Sequence, residues 1–124
     1  MTVQRINLPE LGLPAGPYSH AVIQGQTLYT SGFTAYGTTA QAKPVKEQAQ
    51  AIFRQFEIIA ASQNTTLANL IKVTVFLTDP SDIPELREAL VALYGPNVPA
   101  SSMVIVGSLF APDLAVEIEA ILAL

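Results

Sequence analysis

Two glutamates, Glu117 and Glu119, stand two residues apart in the run Leu114 to Ala120 near the C-terminal end of the chain. In an extended strand this spacing puts both carboxylates on one face and Val116, Ile118 and Ala120 on the other. Paired acids on an apolar strand are either solvated at a sheet face, or one of them lines a cleft and works as a base. The spacing leaves both readings open. The surrounding stretch, Pro99 to Leu122, reads as two β-strands joined by a short turn, with Met103 to Val106 leading in and Leu114 to Ala120 leading out. Ser101 or Ser102 with His20 and Glu117 supplies the residue types of a nucleophilic triad, but no G-x-S-x-G elbow is present to hold one. His20 lies two residues from Tyr18 and shares a face with it if this segment is strand; a lone histidine is more often structural. Tyr36 and Tyr94 either line a pocket or pack at an edge or interface.

The elements that must position these residues follow from patterning. A first strand falls around Val3 to Ile6, and the proline- and glycine-rich run Pro9 to Pro17 reads as an irregular loop or a lip over a site. His20 to Ile23 and Thr27 to Ser31 flank Gln24-Gly25-Gln26, a hairpin signature with glycine where a turn needs positive φ. Phe33 to Lys43 carries no periodicity and reads as loop. Pro44 suits the first position of a long helix whose apolar stripe is Ile52, Phe53, Phe56, Ile59 and Ala60. Leu70 to Thr78 has the β-branched and aromatic content of a central strand. Asp82 with Glu85 forms a capping-box pattern for a second helix, with Pro84 in its first turn and Gly95-Pro96 as its stop at Tyr94. The order β-ββ-α-β-α-ββ, uninterrupted by a linker or repeat, predicts one α+β domain over residues 1–124, a mixed sheet with two helices on a single face.

The composition narrows the function. Half of the 124 residues are apolar and 13 % are charged, few for a free-standing monomer, so apolar surface buried against other subunits is expected. Ten acidic residues face six scattered basic ones, which argues against a nucleic-acid partner. With no cysteine and one histidine the chain has neither a thiolate nucleophile nor a His- or Cys-rich metal site, so no metal is expected. The N-terminal run lacks a basic segment followed by a long apolar one, and no stretch reaches the roughly 18 apolar residues of a membrane span. A soluble, cytoplasmic protein without a membrane partner is expected.

Four blocks in register, Gly16-Pro17-Tyr18-Ser19-His20-Ala21-Val22, Tyr29-Thr30-Ser31-Gly32, Lys72 to Asp79 and Val116-Glu117-Ile118-Glu119-Ala120-Ile121, closely resemble the RidA/YjgF reactive-intermediate deaminase family over nearly the whole chain. The resemblance implies a chorismate-mutase-like subunit, a homotrimer around a central β-barrel, and ligand clefts between subunits. Enzymes of the family hydrolyse enamines and imines, such as 2-aminoacrylate, to a 2-keto acid and ammonia without a cofactor. It further implies that Tyr18 stacks on the ligand and donates a hydrogen bond, that Ser31 and Gly32 bring backbone close to it, and that Glu117 positions the attacking water. One departure stands out. Family enzymes read Pro-Ala-Arg-Ser where this chain reads Pro99-Ala100-Ser101-Ser102, and that arginine clamps the substrate carboxylate. A bidentate, charge-assisted pair contributes roughly 1.5–3 kcal/mol per hydrogen bond, so its loss predicts about a hundredfold weaker handling of 2-imino acids. Arg87 is the one replacement cation the sequence suggests, although between Glu85 and Glu88 on a helix it reads better as a solvated surface residue. Phe33 stands where a glutamine is frequent and Met103 where a cysteine is frequent, which makes the cleft more apolar. The expected function is therefore hydrolysis of a non-standard imine or enamine. The alternative is a non-catalytic trimer that binds a metabolite or a protein, and a ribonuclease or translation inhibitor has the least support.

Overall fold

The structure, a computed structural model, describes residues 2–124. Its strands are β1 (Gln4–Ile6), β2 (Ala21–Gln24), β3 (Thr27–Thr30), β4 (Leu70–Leu77), β5 (Ala100–Ile105) and β6 (Val116–Ala123), and its helices are α1 (Val45–Ser62) and α2 (Ile83–Tyr94). Together they form one six-stranded sheet in the order β1-β2-β3-β6-β4-β5, with both helices on one face. The hairpin of β2 and β3 turns through Gly25 at φ 62°, a conformation that a side chain disfavours. On α1, the stripe Ile52, Phe53, Phe56, Ile59 and Ala60 is buried against Val73, Val75 and Leu77 of β4 and Val116, Ile118 and Leu122 of β6. A chain of three edge-on contacts among four rings, Phe33 to Phe56 to Phe53 to Tyr94, joins the sheet to both helices.

Three expectations change. First, β5 and β6 are not a hairpin. A helix crosses between β4 and β5, so those two run parallel, and β6 takes the other side of β4 in antiparallel register. Residues 106–115 carry the chain around the end of β4 instead of turning tightly. Second, Asp82 makes no capping hydrogen bond. Asp79 caps the preceding 3-10 turn by accepting from the Ser81 N–H at 2.9 Å, while the Glu85 carboxylate accepts from the Lys46 N–H at 3.0 Å. Third, Pro44 is the N-cap of α1 rather than its first residue, and proline has no capping side chain. Glu85 thus supplies from α2 the acceptor that the start of α1 lacks, and it joins the two helices.

A buried polar side chain fixes the long connection. Gln48, 1 % exposed, donates from Nε2 to the carbonyls of Lys43 and Asp113 and accepts at Oε1 from the Ala115 N–H, each at 2.9 Å. All its hydrogen-bonding capacity toward loops is used, and residues 113–115 are held on α1 just before β6 begins.

The opposite sheet face has no helix. Its register places Glu117 beside Phe76, Glu119 beside Thr74, Ile121 between Lys72 and Tyr29, and Val104 beside Phe76. Tyr29 and Val104 are 43 % and 44 % exposed on this face, so the single chain leaves apolar surface there uncovered.

Candidate active site

Glu117 and Gly32 form the closest arrangement of the site. After β3 the chain bridges to β6 at Phe33, whose N–H and carbonyl exchange hydrogen bonds with Ile118 at 2.9 and 3.0 Å. That bridge buries Phe33 on the helix side and sets Gly32 directly beside the Glu117 side chain. A Cβ at position 32 would lie 2.5 Å from Glu117 Oε2 and 2.9 Å from its Cδ, closer than such atoms pack. Only glycine lets the carboxylate rest on the backbone here. The Glu117 carboxyl is half-buried, and its pKa is pushed above the ordinary carboxylate value, first by burial and then by the charge of Glu119. No hydrogen bond or cation among the described residues offsets those two effects.

Tyr18 stands on the loop before β2, and four hydrogen bonds hold that loop. Ser31 donates from Oγ to the Ser19 carbonyl at 2.6 Å and from its N–H to the His20 carbonyl at 3.0 Å. His20 is buried; its Nδ1 accepts from the Leu8 N–H at 3.0 Å, and its own N–H donates to Asn7 Oδ1. Burial lowers its pKa, which keeps the ring neutral as that acceptor role requires. The segment is not strand, since β2 starts at Ala21, so the shared strand face expected for Tyr18 and His20 does not exist. The Tyr18 hydroxyl accepts from the Ala15 N–H at 3.2 Å, and the ring, 47 % exposed, faces a groove.

This groove, of about 570 Å³, runs between the N-terminal loop and α1, and Tyr18, His20, Gly32, Phe33, Tyr36 and Phe110 are among its walls. Tyr36 and Phe110 meet edge-on with ring centroids 5.0 Å apart. Gly32 belongs to the groove wall and also meets the Glu117 side chain, which is not itself among the groove's walls. Among the six basic residues Arg54 alone lines the groove. Neither Arg54 nor Phe110 is signalled by the sequence, because the groove is assembled from four segments far apart in the chain.

The remaining candidates lie elsewhere. Ser101 is exposed on the edge strand β5 opposite Val73, and Met103 is half-buried opposite Val75 and packs on the core. Their register puts both on the helix side of the sheet, the face opposite Glu117. Arg87 is exposed on α2, in the helix layer. One chain therefore brings Tyr18, Ser31, Gly32 and Phe33 together with Glu117 nearby, and leaves Ser101, Met103 and Arg87 outside that cluster. Tyr94 packs against Phe53 rather than lining the groove; burial of its hydroxyl raises its pKa to about 12. No group of three or more His, Cys, Asp or Glu side chains suited to a metal occurs among the described residues, and no helix is long and apolar enough to cross a membrane.

An open-faced α+β sheet with two helices on one side, a half-buried carboxylate on the other and a glycine beneath it defines the class. The chain belongs to the YjgF/RidA family, whose model, described as Endoribonuclease L-PSP, matches residues 10–124. It is 28 % identical over 122 residues to a 2-iminobutanoate/2-iminopropanoate deaminase of Dermatophagoides farinae, covering 96 % of this chain and 94 % of that one. It is 31 % identical over 110 residues to the protein of the same name from Homo sapiens, covering 86 % and 79 %. Among solved structures, RidA from the Antarctic bacterium Psychrobacter sp. PAMC 21119 superposes with a TM-score of 0.88 at 32 % identity, covering 98 % of this chain and 99 % of that one.

Proposed function

We propose that this chain hydrolyses an imine or enamine to a carbonyl compound and ammonia, in a homotrimer whose subunits cover one another's open sheet faces. The observation that carries the reading is the Glu117 carboxylate, half-buried on Gly32 with no cation to tie it up. A carboxylate in that state holds a proton more readily than a solvated one, which suits a general base acting near neutral pH. Glu117 takes a proton from water as the water oxygen bonds to the imine carbon, and the C=N π pair moves to nitrogen. The proton then passes to that nitrogen, giving a carbinolamine; Glu117 next takes the hydroxyl proton and delivers it to the amine nitrogen, the C–N bond breaks as the carbonyl forms, and ammonia leaves. Tyr18 orients the substrate, while backbone at Ser31 and Gly32 approaches the reacting carbon. The relatives named as 2-iminobutanoate/2-iminopropanoate deaminases support the reaction class.

Ser101 favours a second reading, a non-catalytic trimer that binds a small metabolite or a protein, since it supplies one neutral donor where family enzymes carry the arginine clamp. Ribonuclease activity, despite the family model's description, draws no support from a net charge of −4 with scattered bases. A coupled assay that generates 2-aminoacrylate and bulkier imines in situ separates the first two readings, with Ser101→Arg run beside wild type. Turnover by wild type above the rate in buffer is expected; none with any imine, for either protein, overturns the deaminase reading. Light scattering that returned a monomer would overturn the trimer.

A further inference from the structure

We propose that the groove between the N-terminal loop and α1 receives the planar apolar body of an aromatic 2-imino or 2-oxo acid, and that Arg54 anchors its carboxylate. The inference rests on the deaminase reading for its reaction but on the groove itself for its ligand class. Three aromatic rings project into it from three separate segments: Tyr18, Tyr36 and Phe110, which are 47 %, 53 % and 65 % exposed. Rings this exposed, gathered around a concavity of about 570 Å³, give flat apolar walls wide enough for a six-membered ring and its substituent. The walls also discriminate by charge. Arg54 and the Gln55 amide come from α1, and Glu10 comes from the 3-10 turn on the N-terminal loop. A carboxylate is attracted to the α1 wall and repelled from the Glu10 wall, so an anionic ligand has one favoured orientation.

Gln55 is already committed, since its Nε2 donates to the Thr34 carbonyl at 2.9 Å and the Ala51 carbonyl at 3.2 Å. That leaves the Arg54 guanidinium, with five donors in a planar fork, as the group able to grip a carboxylate from two sides. It stands on a different element from Ser101 and Arg87, so it does not restore the absent clamp in place; it moves the anchor to the groove. Gly32 lines the groove and also meets the Glu117 side chain, so the proposed anchor and the proposed base share one neighbour. Small aliphatic acids would leave the aromatic walls unfilled, which predicts a preference for bulk.

The test is equilibrium binding measured by calorimetry, which needs no turnover. The probes are phenylpyruvate, pyruvate and the uncharged ketone benzylacetone, titrated into wild type, Arg54→Gln, Arg54→Lys and Tyr36→Ala. The expected result is that phenylpyruvate binds wild type at least tenfold more tightly than either pyruvate or benzylacetone. Arg54→Gln should lose about tenfold for phenylpyruvate and nothing for benzylacetone, a modest factor because the guanidinium is exposed. Arg54→Lys should recover part of the loss, and Tyr36→Ala should weaken both aromatic probes alike. Equal affinity of wild type and Arg54→Gln for phenylpyruvate overturns the anchor, and equal affinity for pyruvate and phenylpyruvate overturns the aromatic site. Absence of binding by every probe overturns both. If these affinities behave as expected while no imine is turned over, the ligand class stands and the deaminase reading falls; turnover insensitive to Arg54 gives the reverse.

Discussion

Gln48 and Glu117 are both polar side chains withdrawn from water, and they are treated in opposite ways. Gln48 is fully buried, and every bond it makes goes to a backbone group of a loop, so its polarity is consumed in holding residues 113–115 against α1. Glu117 is half-buried, receives nothing, and sits beside a second carboxylate that raises its pKa further. Burying a polar group without partners costs stability, so an arrangement that leaves a carboxylate unpaired on a glycine does not serve the fold. The contrast separates a residue whose polar groups bind the domain together from one that the chain leaves without a partner, on the sheet face that its own helices leave open.

Substituting Glu117 tests the chemical half of this contrast most severely. Glu117→Gln should lower imine turnover by about a hundredfold or more while the urea midpoint stays unchanged or rises, because an unfavourable charge is removed. A fall in stability that matched the fall in rate would erase the distinction from Gln48. Gly32→Ala comes next: its methyl group must displace the Glu117 carboxylate, so turnover should fall roughly tenfold or more with the fold retained by circular dichroism. For the structural half, Gln48→Leu leaves the Lys43 and Asp113 carbonyls and the Ala115 N–H unpaired in the interior, at about 1–3 kcal/mol for each group that finds no water. Denaturant unfolding should show that loss, and a neutral result would mean that the loop is held by other contacts.

The smallest effect concerns pH. With Glu117 raised above its ordinary value, the folded state binds its proton in a window where the unfolded chain has released it. Stability from this group therefore falls as pH rises through that window, and the acid limb of the rate profile lies above the range of a solvated glutamate. Glu119→Gln removes the like charge, so the limb should shift to lower pH. An unmoved limb would assign it to another group. His20 works in the opposite sense: its pKa is lowered, so its contribution to stability is present above the ordinary histidine value and is lost as pH falls below it.

Local patterning carried much of the architecture. The helical stripe from Ile52 to Ala60, the Gly25 turn, the stop at Gly95 and the alternation of Val116, Ile118 and Ala120 with Glu117 and Glu119 are each decided by residues a few positions apart. Periodicity and turn chemistry act over that range, so a sequence displays them. Capping across helices is different. Asp82 and Glu85 have the spacing of a reciprocal cap, but Asp79 already closes the turn before α2, and Glu85 turns to the start of α1, where Pro44 can offer no side-chain acceptor. Strand pairing is likewise non-local: β5 and β6 follow one another in the chain, yet the α2 crossover makes β5 parallel to β4 and sends β6 to its far side.

For the site, the sequence by itself determined which residue types are present and the face on which each strand residue falls. Glu117, Tyr18 and the Ser31-Gly32 pair are candidates the sequence offers because they stand in short contiguous blocks that resemble the family's. Only the tertiary structure decided that Gly32 lies under the Glu117 carboxylate, that Ser101 and Met103 fall on the opposite face, and that Arg54 rather than Arg87 belongs to the groove. The physical reason is one of distance along the chain. A face follows from the two-residue period of a strand, whereas a pocket is made where segments separated by tens of residues meet, and that meeting is set by packing of the whole core.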